Sequence, residues 1–407
     1  MRKPVKGGTY EQSYEPFFKT RIFKTFKDSV SESIPEKEDG NMLDEGEKMS
    51  GLNRKYLITV LSAKTDLEHK STRQRKARCE TYDKRFVVVL KKIWEILDYP
   101  CGARLKPMLP EMVNKLVEYG ELTIPDQMKQ KLLRVCASTI NTKLKHSRQQ
   151  IHRRIQGTTK PGKLLKSQIP IRTSSWEESH PGFCELDTVA HCGSSAAGEF
   201  ANTLDITDIL TGWTEQEVCL GKAEKRIVSG LDLIKQRIPF PLRGIDPDNG
   251  SEFINWQLYR YCMQGQIEFT RGRPYKKNDN AHIEQKNWTH VRQVYGYERI
   301  EEQEIVDLMN DLNRNELRLY KNFFQPTMKL IDKKRAGQHH EKIKRVYDIP
   351  KPPYQRVLLC DEIFDQTKQE LKTLYATLNP AQLKRTIIKK LTLIKKQIAA
   401  SRKKSTL

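Results

Sequence analysis

The 407-residue chain carries eight cysteines, yet no two of them form a Cys-x-x-Cys pair. That spacing marks zinc ribbons and dithiol redox sites, so neither is expected. Cys184, Cys192, Cys219 and Cys262 read instead as small buried hydrophobes of a reducing cytoplasm. No run approaches the ~18–20 apolar residues that span a bilayer, and no N-terminal segment resembles a signal peptide. The expectation is a soluble, intracellular protein with no membrane partner. Hydrophobic residues are scarce at 37%, enough for one sizeable core with smaller polar modules. Acid is missing over two long stretches. Between Gln127 and Trp176 there are twelve lysines and arginines and no aspartate or glutamate, and from Leu371 onward there are ten and none.

What is present is positive charge. Lysine plus arginine exceed aspartate plus glutamate by 73 to 51, a formal charge of +22. Such an excess favours a polyanion as partner, because each neutralised phosphate releases condensed counterions. A solvated basic surface is the plainer reading. The clustering of the cations directly before an apolar, alternating segment favours a nucleic-acid track.

The segments divide as 1–65, with a helix-turn-helix candidate after Lys48; 66–156, helical; 157–178, a basic linker; 179–325, an α/β core; and 326–407, basic and partly helical. In the second segment a helix is expected from Arg85 to Leu97. Pro107 and Pro110 then mark breaks before a helix from Glu111 to Tyr119. Pro125 opens a helix to Val135, and Thr139 to Arg148 reads as a recognition helix of a helix-turn-helix carrying Lys143, Lys145 and Arg148. In the core, strands are expected at 182–191, 200–206 and 213–220, then a helix at 224–237, a strand at 242–246, a helix from Ser251 to Met263, a strand at 267–270 and a helix opening at Asp279 or Asn280. Three strands in a meander followed by alternating strand and helix is the order of a ribonuclease H-like fold. A helix from Glu301 to Asn322 follows, and Asn379-Pro380 opens the last helix.

Three acids sit on three separate elements of that core: Asp187 in a strand, Asp248 in a turn after a short strand, and Glu284 near the start of a helix. Hard divalent cations take several oxygen ligands, and carboxylates also supply the charge that holds them. Asp205, Asp208, Asp246 and Asp279 compete for these roles. Each reads more simply as a solvated charge or a cap.

The motifs Asp-Asn-Gly-Ser-Glu-Phe around Asp248 and Asn-Asp-Asn-Ala-His-Ile-Glu ending at Glu284, separated by thirty-five residues between the two acids, carry a family resemblance. The stretch from about Phe183 to Phe324 resembles the catalytic core of retroviral integrases and insertion-sequence transposases. The resemblance implies a ribonuclease H-like core with a mixed five-stranded sheet, flanked by all-α helix-turn-helix modules and a helical C-terminal tail. It implies that Asp187, Asp248 and Glu284 hold two magnesium ions, with manganese as a substitute. Element ends would be cut and the freed 3′ hydroxyl transferred to target DNA. Partners would be duplex DNA, as terminal repeats and target, and further copies of the chain on paired ends, in the nucleoid-associated cytoplasm of a prokaryote. DNA contacts are expected from Lys143, Lys145, Arg148, Arg153, Arg154, Lys160, Lys163, Lys166, Arg271, Arg273, Lys276, Lys277, Lys286 and Arg292. Many relatives place a basic residue seven positions after the glutamate; here that position is Val291. The integrase zinc module has no counterpart, since His339-His340 is an isolated pair, and no zinc is expected. Two alternatives remain open: a domesticated DNA-binding regulator without catalysis, and a ribonuclease H-like nuclease.

Overall fold

The computed structural model describes residues 41, 43–45, 47–48, 53–61, 81–150, 180–221, 223–247, 253, 255–270, 286–336 and 342–405. The chain divides into two compact units, 1–80 and 81–407. In the first, a short helix α1 (Arg54–Leu61) is described, and Arg54 meets the Asp44 carboxylate.

The second unit opens with five helices: α2 (Lys84–Ile96), α3 (Gly102–Glu118), α4 (Asp126–Arg134), α5 (Ala137–Lys143) and α6 (Lys145–Gln149). Asp83 caps α2 by accepting the Phe86 N–H at 2.9 Å, as expected of an acid at that position. The expected break at Pro107 and Pro110 does not occur, because both lie inside α3. Leu105, Met108, Leu109, Met112, Val113 and Leu116 are buried along one stripe of α3. Burial of that stripe outweighs the two backbone bonds the prolines remove. The expected helix from Thr139 to Arg148 is also corrected: it is split at the buried Leu144 into α5 and α6. Gly102 admits this packing, since a Cβ there would lie 2.2 Å from the Ala137 carbonyl oxygen, and its N–H donates to Asn141 Oδ1 at 2.8 Å.

The sheet contains β1 (Phe183–Ala190), β2 (Ala201–Asp208), β3 (Thr214–Leu220), β4 (Gly244–Pro247) and β5 (Glu268–Phe269), in the order β3-β2-β1-β4-β5. β1, β2 and β3 are antiparallel, whereas β4 and β5 run parallel to β1. It is therefore a mixed five-stranded sheet, with the strands of the meander where alternation placed them. Between them come α7 (Glu224–Lys235) and α8 (Trp256–Gln264). The cap of α8 is Asn255, which accepts the Leu258 N–H at 2.8 Å, rather than Ser251 or Asn249. Leu186, Leu204, Ile206 and Ile245 from the sheet pack against Ile227, Leu231, Ile234 and Leu258 of α7 and α8.

A π-helical turn (Asn287–Arg292) runs into the short α9 (Gln293–Tyr295). α10 (Gln303–Leu312), a second π-helical turn (Asn313–Leu317) and α11 (Arg318–Phe324) then form one long rod across β3. β3 is an edge strand, and its outer backbone groups need partners. Asn310 bonds both the N–H and the carbonyl of Val218, at 2.7 and 2.8 Å. Asn322 does the same for Thr214, at 2.9 and 2.8 Å. Glu215 and Glu217 are buried on β3. Glu215 meets Arg237 at 3.2 Å and Arg318 at 3.0 Å, and Glu217 meets Arg237 at 3.0 Å as well as Arg314.

The chain continues through β6 (Leu330–Ala336) and β7 (Lys342–Tyr347), a hairpin that sequence periodicity did not reveal, to α12 (Pro353–Leu358), α13 (Asp365–Thr377) and α14 (Pro380–Ser405). Most of the acid-free C-terminal stretch is thus a docked helix, α14. Ile387, Ile394 and Ile398 of α14 are buried in one core with α2, α3, α10 and α11. Lys384 binds Asp98 at 2.8 Å, and Arg385 binds Glu121 at 2.6 Å. Among the described residues, no helix is long and apolar enough to cross a membrane.

Two outcomes test this packing. Glu215→Ala leaves Arg237 and Arg318 poorly compensated and should cost about 3 kcal/mol in urea unfolding. The Arg385 and Asn379 hydrogen bonds hold the Glu121 carboxyl down to about 2 from 4.5. A depressed carboxylate stabilises the fold fully above its unfolded value and loses that contribution as pH falls through its folded value. The gap in stability between the native chain and Glu121→Gln, kept below about 1 kcal/mol by the exposure of Arg385, should therefore close between pH 4.5 and about 2.

Candidate active site

The register of the sheet gathers acid on one face. Asp187 of β1 is paired with Asp205 of β2, and Glu185 is paired in parallel with Asp246 of β4. Residues directly opposite each other share a face, and so do residues two apart on one strand. Glu185, Asp187, Asp205 and Asp246 therefore sit on the same face of three neighbouring strands, opposite the Leu186, Ile206 and Ile245 side. Glu185, Asp205 and Asp246 are buried and Asp187 is half-buried.

Asp187 Oδ1 accepts the Thr188 N–H at 2.7 Å, and Oδ2 accepts the Asn287 side-chain amide. Asp246 Oδ1 accepts the Thr270 hydroxyl at 3.0 Å. Asp205 is different: its side chain is wholly buried, no well-formed hydrogen bond reaches either oxygen among the described residues, and the Gln216 side chain directly opposite on β3 is only a weak partner. It is not the solvated charge expected from sequence. Burial pushes its carboxyl up to about 8, with the Lys286 charge opposing and the Asp187 charge adding to the rise. Lys286 is the counter-charge. It is 7% exposed, its ammonium donates to the Gly212 carbonyl at 3.3 Å, and burial pulls it down to about 7 while Asp205 holds it up. Asp208, by contrast, is a turn residue. It accepts from the Gly182 N–H at 2.7 Å, the Thr211 N–H at 2.7 Å and the Thr211 hydroxyl at 2.6 Å.

The π-helical turn carries Asn287 to Asp187. Such widened turns occur frequently at functional sites. Behind it the buried Lys321 donates to the Thr289 carbonyl at 3.1 Å, and His290 is buried with burial holding it well below its ordinary range. Neither Asn287 nor the role of Lys286 stood out in the sequence. An amide and a lysine following a helix start look like ordinary surface residues until the sheet register is known.

Asp248 and Glu284 lie outside the described residues, as do Arg153, Arg154, Lys160, Lys163, Lys166, Arg271, Arg273, Lys276 and Lys277. Of the other residues expected to contact DNA, Lys145 is exposed and Lys143 half-buried. Arg148 lies 5.7 Å over the Trp94 ring and donates to Asn141 at 3.3 Å. Lys286 faces inward, as above. Arg292 lies 4.8 Å over the Tyr297 ring and lines a cleft of about 550 Å³ with Trp288, Tyr297, Lys395 and Arg402.

Among the described residues, no three acidic, histidine or cysteine side chains converge to hold a metal ion. The groups that are described fit one in kind. Asp187 and the poorly satisfied carboxyl of Asp205 opposite it offer only oxygen donors, the chemistry magnesium and manganese prefer.

These features define an α/β protein with a mixed five-stranded sheet and a carboxylate-lined face. The chain is 34% identical over 316 residues to the uncharacterized protein y4rM of Sinorhizobium fredii (strain NBRC 101917 / NGR234), across 77% of this chain and 88% of that protein, and it belongs to the same family. No protein-family model matches. Solved structures similar in part include the HTLV-2 integrase catalytic core domain in complex with magnesium, at 14% identity over 36% of this chain and 90% of that one with a TM-score of 0.27. The catalytic core domain of BIV integrase is similar at 16% identity over 43% and 91%, with a TM-score of 0.28.

Lys286→Met removes the charge that opposes the rise of the Asp205 carboxyl, so it should destabilise the protein above about pH 8, where Asp205 ionises. Adding Asp205→Leu should restore part of that loss by about 1–3 kcal/mol of coupling. Urea unfolding of the two single variants and the double variant measures it, and strict additivity would rule out the pairing.

Proposed function

We propose that this chain is a metal-dependent DNA transposase or integrase of the Asp-Asp-Glu type, with a ribonuclease H-like core. The observation that supports this reading most is where the described neighbours of the three acids lie. The parallel pairing of β1 with β4 ends at Leu186 and Pro247, the residues immediately before Asp187 and Asp248. Asn287, three residues after Glu284, is hydrogen-bonded to Asp187.

In this reading Asp187, Asp248 and Glu284 are the metal ligands. Two magnesium ions, with manganese as a substitute, would activate the attacking oxygen and stabilise the departing 3′ oxygen when bound. Asn287 holds the Asp187 carboxylate in one orientation. Lys286 offsets Asp205, so that the acidic face tolerates Asp187 beside it. Lys143 and Lys145 on the helical block, the basic residues at 153–166 and at 271–277, and Arg292 beside the cleft would bear on phosphates of duplex DNA. Arg148 and Lys286 would act by holding the fold. Joining two element ends calls for more than one copy of the chain. The α4–α5 pair, with its acid-free continuation, is proposed as a DNA-reading module.

The test uses the full chain, magnesium and oligonucleotides carrying the element ends. Strand transfer should be abolished by Asp187→Asn and by Glu284→Gln, while affinity for the same DNA stays within about twofold. A Glu284→Gln variant that still joins ends to target would remove that residue from the site. A native chain that binds ends and never cuts them would favour the regulator.

A further inference from the structure

The β6–β7 hairpin pairs with no other strand of the described structure. An isolated two-stranded ribbon is marginal in water. Its ladder adds a second burden: Lys333 is directly opposite Arg345, and Lys334 is directly opposite Lys344. Like charges facing each other across a ladder are destabilising. Successive pairs fall on opposite faces, so basic positions occur on both. One face holds the positions of Lys333, Arg335 and Arg345. The other holds those of Lys334, Lys342 and Lys344, with Asp332 as the single acid in either strand.

The root of the hairpin is fastened firmly. Thr327 and Lys351 exchange backbone hydrogen bonds at 3.0 and 3.2 Å. Lys329 N–H donates to Asp348 at 2.7 Å, Arg356 binds Asp348 at 2.6 Å, and Lys329 Nζ reaches the Ile209 carbonyl, just past β2, at 2.7 Å. A ribbon anchored to the core at one end has basic positions opposite each other along its ladder.

We propose that the β6–β7 hairpin is a second duplex-DNA contact, seated in the major groove with a phosphate backbone along each of its faces. The proposal rests on the reading above that duplex DNA is the partner. A flat anionic surface would meet one face of the ribbon and leave the opposed cations on the other uncompensated. A groove walled by two phosphate strands meets both. The major groove of B-DNA, about 12 Å wide, admits a two-stranded ribbon, and strands of this length extend for roughly 20 Å.

The experiment is fluorescence anisotropy of the full chain on a labelled 30-base-pair DNA duplex, titrated with salt. The double variants Lys333→Gln/Arg345→Gln and Lys334→Gln/Lys344→Gln each remove cations from one face. Each should weaken binding about tenfold near 0.1 M salt and reduce the slope of log affinity against log salt by about 2, the value for two phosphate contacts. Lys333→Arg/Lys334→Arg/Lys344→Arg, which keeps the charge, should bind as the native chain does. Loss from only one of the two pairs, or from neither, overturns the groove seating. So does an equal loss on an RNA duplex, whose deep, narrow major groove excludes a ribbon. Combining each pair with Asp187→Asn separates this proposal from the catalytic one. If the native chain never transfers strands and the slopes still change, the hairpin contact stands and the catalytic reading falls.

Discussion

Asp187 and Asp205 lie directly opposite each other in the middle of a sheet, and that crowding is the constraint the rest of the molecule answers. Two adjacent carboxylates on a largely buried face are not stable as two bare charges. Lys286 supplies a buried positive charge beside Asp205, and Asn287 supplies a neutral donor to Asp187. Both come from the same turn, so one short piece of backbone meets both demands. The wider π-helical winding that begins at Asn287 belongs to the same piece.

The surroundings keep that face in place. β3 would be a bare edge, but two asparagines of one rod close its outer hydrogen bonds at Thr214 and Val218. The same rod brings Arg314 and Arg318 onto the buried glutamates of β3. On its other side the rod packs with α14, where Lys390 binds Asp311 at 2.6 Å and Glu316 at 2.7 Å. The helical block is tied in at Asp98, which both Lys321 and Lys384 engage, at 3.5 and 2.8 Å. Basic residues that look like a free cationic tail in the sequence are in part the ties of a single unit.

The sequence made the meander readable because Cys184, Leu186, Leu204 and Ile206 alternate with polar residues along each strand. It also pointed to Asn379, whose side chain caps α14 by accepting the Ala381 N–H at 2.9 Å. It did not show that α3 would run through two prolines, since a buried stripe is a tertiary fact. Nor did it show Asn255 as the cap of α8, because two earlier polar residues offered the same chemistry. The β6–β7 hairpin was hidden by its charge: lysine-rich segments carry little strand propensity. At the candidate site, Asp187 was readable from its strand. The burial of Asp205 was not, because it depends on the register between β1 and β2. Asn287 was hidden because only the path of the backbone after Glu284 brings it to Asp187.

The central claim is that carboxylates far apart in the chain converge at Asp187 to hold divalent cations. Anomalous diffraction from a crystal of the full chain grown with manganese tests it most directly. The account predicts anomalous density against the Asp187 carboxylate, shared with Asp248 or Glu284. Density elsewhere, or Asp248 and Glu284 on different flanks of the sheet from Asp187, would contradict it.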